Sequence, residues 1–272
     1  MSNPSMEDFL LSVAELAILK HQAKVDDYEI DTLSSDVYIG QKKLISSITA
    51  DFAYAVEVAS LAFTRYPPSR DWLTYRLAEE LQESATSVYT LVASGIFNAS
   101  QRELRYMVES AVKYVHVDQI MPGHAKISER ENFLHQKVPR SSVGIIDDTT
   151  LRMVPAESFR QDVKSLFSSL SAYVHPSMQQ LRERRRKVER GESLGFESAD
   201  SLVKFSRTLT RVYDIVLALV FEGIGPNFSG DVFIEILDGR TRWKFRNSKY
   251  CKAVSRHFDY KLERSSNEED GA

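Results

Sequence analysis

Only eight prolines and eleven glycines punctuate these 272 residues, and they fall in clusters rather than at even spacing. Proline removes a backbone donor and clashes with the preceding turn, while glycine weakens a helix interior. Long stretches free of both are therefore open to continuous helix. Inside those stretches the apolar residues recur every three to four positions. Leu44, Ile45, Ile48, Phe52, Val56, Ala59 and Phe63 form one such stripe, and Leu202, Phe205, Leu209, Val212, Val216 and Val220 form another. That period belongs to a helix with one buried face. The chain is expected to be mainly α, a multi-helix bundle.

The breakers place the helices. Expected spans are residues 6–24, 42–66, 72–93, 100–118, 127–137, 155–175, 198–222 and 248–263. Pro67 and Pro68 stop the second, Gly95 separates the third from the fourth, and Pro155 opens the sixth. Ser100 followed by Glu103 has the form of a capping box. Residues 139–150 read as a linker and 182–190 as a charged connector. Residues 232–245 support two readings. Asp238 and Gly239 between apolar alternations fit a two-residue β-hairpin turn, whereas Val232, Phe233, Ile236 and Leu237 also make a short amphipathic helix stopped by Gly239. The expected organisation is N-terminal helices over 1–90, a helical core over 91–223, a basic and aromatic extension over 224–264, and a disordered polar tail over 265–272.

Composition narrows the function classes. Apolar residues make up 43% and charged residues 27%, enough to build a core and too apolar for wholesale disorder. The net charge is −3, so contact with nucleic acid must come from a local patch. Cys251 is the one cysteine, which excludes an intrachain disulfide and a cysteine-built zinc site. No His-x-x-x-His spacing and no Gly-rich phosphate loop occurs, so no metal and no cofactor is expected. The first residues lack the basic region and cleavage site of a secretion signal. The longest apolar run, Ile215 to Phe221, is far short of the ~20 residues that span a bilayer. A cytoplasmic protein without a membrane partner is expected.

Two segments about sixty residues apart carry the polar constellation. On the helix from Ser100, Arg105, Glu109 and His116 project within about 40° of one another at the border of the apolar face. Arg105 and Glu109 at i,i+4 can pair with each other or hold a polar group of a neighbouring helix. The later helix ends on His175, before Pro176, beside a face of small serines that admits a close neighbour. An imidazole at a helix C-terminus is favoured when protonated and can bind phosphate or act as a general acid or base. A helix-edge salt bridge and a helix-stop histidine are the plainer readings. Two basic runs follow. Arg182, Arg184, Arg185 and Arg186 are diluted by Glu183 and Glu189, and Arg242 and Lys244 flank Trp243. Cations neutralise phosphates and aromatic rings stack on bases, so both runs are candidate nucleic-acid contacts.

Gly95, Arg105 and Glu109, followed by Ser171, Tyr173 and His175, give a pattern that resembles the HEPN-like helical proteins, over about residues 91–220. The resemblance implies a helical bundle that binds RNA or cleaves it without metal, in a toxin or phage-defence setting. Its partners would be RNA and a protein encoded nearby, and its assembly a homodimer. It implies catalytic roles for His175, Arg105 and Glu109. The family's ribonuclease motif is an Arg four to six residues before a His. Ser168, Ser169 and Leu170 occupy those positions before His175, whereas Arg130 and His135 satisfy the spacing, about as often as chance allows. The alternative is a non-catalytic regulatory or interaction protein in which the Arg/Glu/His cluster is structural.

Overall fold

A computed structural model describes residues 6–64, 67–174, 177–189, 197–224, 237, 240 and 242–257. Among them the regular elements are all helical. In chain order they are α1 (Met6–Tyr28), a π segment (Glu29–Leu33), α2 (Asp36–Thr64), a 3-10 turn (Pro67–Asp71), α3 (Leu73–Ala93) and α4 (Phe97–Ile120). There follow α5 (Ile127–Lys137), a 3-10 turn (Gly144–Asp147), α6 (Ala156–Ser171), α7 (Met178–Glu189), α8 (Ala199–Ile224) and α9 (Lys249–Ser255).

The core is built by α2, α3, α4 and α8, closed by α6 and α9. Every side chain of the α2 stripe from Ile45 to Phe63 that points inward is buried, and Val212 to Phe221 of α8 are buried on all sides. Phe52 of α2 stacks on Tyr213 of α8, with ring centroids 4.0 Å apart. Among the described helices α2 is the one long and apolar enough to cross a membrane by composition, and its stripe is spent on this core. Gly95 ends α3 with φ at 72°, a left-handed conformation that costs glycine little.

Buried carboxylates fix the helix ends. Asp118 of α4 accepts hydrogen bonds from the backbone N–H of Leu73 (3.0 Å) and Thr74 (2.7 Å) and from the Thr74 hydroxyl (2.6 Å). It thereby caps α3 at its positive end. Asp214 of α8 does the same for α9, accepting from the N–H of Tyr250 (3.0 Å) and Cys251 (2.9 Å). Cys251 is buried there, its thiol pushed well up by burial and by Asp214, so it stays protonated and is packing rather than a nucleophile.

Several expectations change. The Ser100–Glu103 capping box does not form. Helix α4 starts at Phe97, Ser100 lies in its first turn and donates to the Ile96 carbonyl, and Glu103 instead accepts from Ser84 of α3. Residues 182–190 are not merely a connector, since Met178–Glu189 is helical. Helix α6 ends at Ser171 and gives way to a turn. Arg240 and residues 242–248 run in turns, and no strand occurs among the described residues. The remainder of 232–245, except Leu237, lies outside them, as does the tail.

Candidate functional site

Helix α4 places Arg105 against the end of α6. The guanidinium donates to Glu109 (3.0 Å) and, through Nε, to the Ser171 hydroxyl (3.1 Å), and it lies 4.4 Å from the centre of the Phe167 ring. Glu109 is shared, because Lys113 one turn on also pairs with it and donates to the Arg140 carbonyl at 2.6 Å. The Arg105 and Glu109 side chains are only 15% and 13% exposed, so most of their bonding capacity is spent inside the fold. One turn earlier, Arg102 donates to the Tyr173 carbonyl at 2.6 Å, satisfying a carbonyl left over just past the helix end. The two segments singled out by the sequence are thus in contact. His175 itself lies outside the described residues.

His116 does not join Arg105 and Glu109. A helical projection ignores rise, and seven residues separate Glu109 from His116 by about 10 Å along the axis. His116 is buried at 8% exposure, with Nδ1 3.4 Å from the Thr149 hydroxyl. Burial lowers its pKa against the opposing pull of Asp148, so the imidazole is held neutral. Arg130 is likewise removed from any site. It is 0% exposed and donates to Asp118 (3.2 Å) and to the carbonyls of Pro122 (2.8 Å) and Ala125 (3.3 Å). The arginine beside His135 is Arg140, whose guanidinium is 3.3 Å from Nε2. That pair rims a cleft of about 270 Å³ lined also by Glu109, Lys113, Tyr106 and Tyr114.

A second cleft, of about 240 Å³, opens between α4, α7 and α8. Phe97 and Phe205 stack at its floor with centroids 5.3 Å apart. Asn98, Gln101, Ser201 and Thr208 line it, and Tyr173, Glu183, Arg186 and Lys204 form its rim. The Tyr173 hydroxyl donates to both Glu183 oxygens, at 3.1 and 3.2 Å. Burial first, and then the Glu183 charge, push its pKa well up, so the phenol remains a donor.

The side chains of Arg182, Arg184, Arg185 and Arg186 are exposed on α7. Arg242 and Lys244 are exposed too, but Trp243 between them is not a base-stacking platform. It is 5% exposed and its indole N–H points at the Asp51 carbonyl, 3.3 Å away. Phe245 and Tyr250 are buried with it. Interleaved aromatics in a basic stretch were core anchors here, because the segment docks on α2 and α8. Among the described residues no group of three His, Cys, Asp or Glu is placed to hold a metal.

The cleft floor and Lys204 escaped sequence reading. Phe97 and Phe205 fall on apolar stripes and look like any core phenylalanine, and Lys204 is one of three cations on a long helix. No family model, no curated protein and no solved structure matches the chain.

Proposed function

We propose that this chain is an RNA-binding helical protein of the HEPN-like kind, with its binding face along α7 and the α4–α6 junction. The observation that carries the reading is α7 itself. Four arginines stand exposed on one short helix of a chain whose overall charge is negative. A helix this polar buries little, and a run of exposed cations beside a partly apolar cleft suits an anionic partner. Arg105 and Glu109 then act by positioning. They hold the end of α6, and with it the residues leading into α7, against α4.

Binding of a fluorescent single-stranded RNA, followed by anisotropy across a salt series, tests this. Each phosphate contact contributes about 0.7 to the slope of log K against log salt for single strands. Combined Arg182→Ala, Arg184→Ala, Arg185→Ala and Arg186→Ala substitution should weaken binding by at least about tenfold and flatten the slope by up to about 2.8. An unchanged slope, or no binding by the wild type, would overturn the proposal. Metal-free cleavage lost in His175→Ala would extend it to a ribonuclease. The alternative, a purely structural polar cluster, is favoured by the low exposure of Arg105 and Glu109. It predicts that His175→Ala changes no RNA readout.

A further inference from the structure

We infer that the acidic run Glu268, Glu269 and Asp270 docks on the arginine face of α7 in its own chain, where an anionic partner must displace it. The contact itself needs no RNA; its effect on RNA binding rests on the reading above.

The first argument is charge. Residues 184–187 are four consecutive cations, the densest such run in the sequence. Arg182, Arg184 and Arg186 are exposed and have no carboxylate partner among the described residues. Glu183, set among them, is engaged by the Tyr173 hydroxyl at 3.1 and 3.2 Å. Arg182 and Arg186 stand four residues apart, where like charges destabilise a helix, so an anion laid along α7 stabilises it. Glu268, Glu269 and Asp270 are the matching feature. They form the one run of three consecutive carboxylates in the sequence, and their charge equals the net −3 of the whole chain.

The second argument is reach. Helix α9 is tied to the middle of α8, where Asp214 accepts from the N–H of Tyr250 and Cys251. Helix α7 lies over an earlier part of the same helix, because Arg186, Lys204 and Thr208 line one cleft. From Lys204 or Thr208 to Asp214 is about 9–15 Å along the α8 axis, and α9 itself adds about 10 Å. Eleven residues lead from His257, the last described, to Glu268. They span about 25 Å if 258–263 continue as the helix expected from sequence, and about 36–40 Å if extended. Either length covers the separation along α8. Lys252 and Arg256 of α9 are nearer, but two cations a turn apart offer less than a run of four.

Clustered carboxylates present charge much as a run of phosphates does, so they compete with an anionic partner for the same arginines. Exposed ion pairs are individually weak. Tethering raises the effective concentration of the acidic run into the millimolar range, which populates the contact and leaves it displaceable.

The test places spin labels at Met178→Cys on α7 and Asn267→Cys beside the acidic run; Cys251 is buried and takes no label. Pulsed dipolar spectroscopy should give a short, narrow distance distribution at about 50 mM salt. It should lengthen and broaden at about 1 M, where the Debye length falls to ~3 Å. Glu268→Gln, Glu269→Gln and Asp270→Asn together should give the high-salt distribution at low salt, as should alanine at Arg182, Arg184, Arg185 and Arg186. Excess unlabelled wild type should leave the short distance in place; its loss would put the acidic run on a second copy and overturn the contact within one chain. In anisotropy with fluorescent single-stranded RNA, the neutralised run should strengthen binding about threefold or more at low salt. That gain should be absent when the four arginines are also replaced, which separates release of α7 from a general loss of repulsion. One distribution at both salts and in every variant would overturn the proposal, and RNA binding by wild type would then leave the RNA reading standing. A short, salt-sensitive distance with no RNA bound would support the contact and overturn the RNA reading.

Discussion

Arg130 shows how one side chain can satisfy a motif and still have no part in it. Its spacing to His135 fits a ribonuclease pattern, yet the contacts it makes are internal: the Asp118 carboxylate and the carbonyls of Pro122 and Ala125 in the turn between α4 and α5. A planar guanidinium reaches three acceptors at once, which an ammonium cannot do in the same geometry. Removing one partner of a buried ion pair costs about 3–5 kcal/mol. Arg130→Ala should sit at the lower end, because Asp118 keeps three donors from Leu73 and Thr74. A thermal melt should show Tm falling by roughly 10 °C, and Arg130→Met, which keeps the packing stem, should recover only a minor part. A melt unchanged in Arg130→Ala would sink this account and return Arg130 to the list of available groups. The sequence could not reveal this burial. Its 3.6-residue period reports which face of a helix turns inward, and Arg130 is held by a turn and by a helix that lies 12 residues away. Arg105 and Glu109 were legible because both their spacing and their border position are local properties of α4.

At the scale of elements, the helices α3, α4, α5 and α8 lie close to where proline, glycine and periodicity put them, and the errors gather at ends. Gly223 illustrates why. As a sequence feature it reads as the start of a helix stop, but α8 continues through it to Ile224. Its function is spacing. A Cβ at this position would lie 2.9 Å from the Thr74 methyl and 3.3 Å from Val115, so the missing side chain lets α8 approach α3 and α4. Two effects oppose each other in Gly223→Ala. Helix propensity favours alanine by about 1 kcal/mol, while overpacking a close contact costs about 1–3 kcal/mol. Overpacking should win, because Thr74 cannot swing away: its hydroxyl is tied to Asp118 at 2.6 Å. Urea unfolding should show a net loss of up to about 2 kcal/mol, relieved by the pair Gly223→Ala and Thr74→Ser, which removes the clashing methyl and keeps the hydroxyl. A stabilised single variant would mean that α8 has room to shift. The same limit explains α7. An arginine-rich stretch has no apolar period, so nothing local distinguishes a solvated helix from a charged linker.

For the whole molecule, the unresolved imbalance is at the N-terminal end. Eleven of the eighteen large apolar side chains exposed among the described residues lie between Met6 and Ile39, and none of the described side chains before Ile45 is buried. Helix α1 carries Leu10, Leu11, Val13, Leu16, Ile18 and Leu19 in the open, on more than one side of the helix. At its end the Tyr28 hydroxyl donates to the Glu197 carbonyl at 2.8 Å, and none of its described side chains is buried. A helix apolar around much of its circumference is normally buried, and an exposed patch this large marks an interaction surface. Those six residues together expose roughly 700 Å², close to the ~800 Å² that each partner gives to a stable interface. We propose that a second copy of the chain covers them. A two-fold dimer buries the same patch on both subunits, so each copy's α1 would be covered without any other partner. Sedimentation equilibrium should then report a homodimer at micromolar concentration. Replacing Leu11, Leu16, Ile18 and Leu19 together by Gln should give a folded monomer, its melting transition unchanged when read at concentrations where wild type has also dissociated. That constancy is the discriminating part, since these four side chains are exposed and their substitution should cost the protomer little. A wild-type monomer, or a variant that remains dimeric, would place the subunit contact elsewhere.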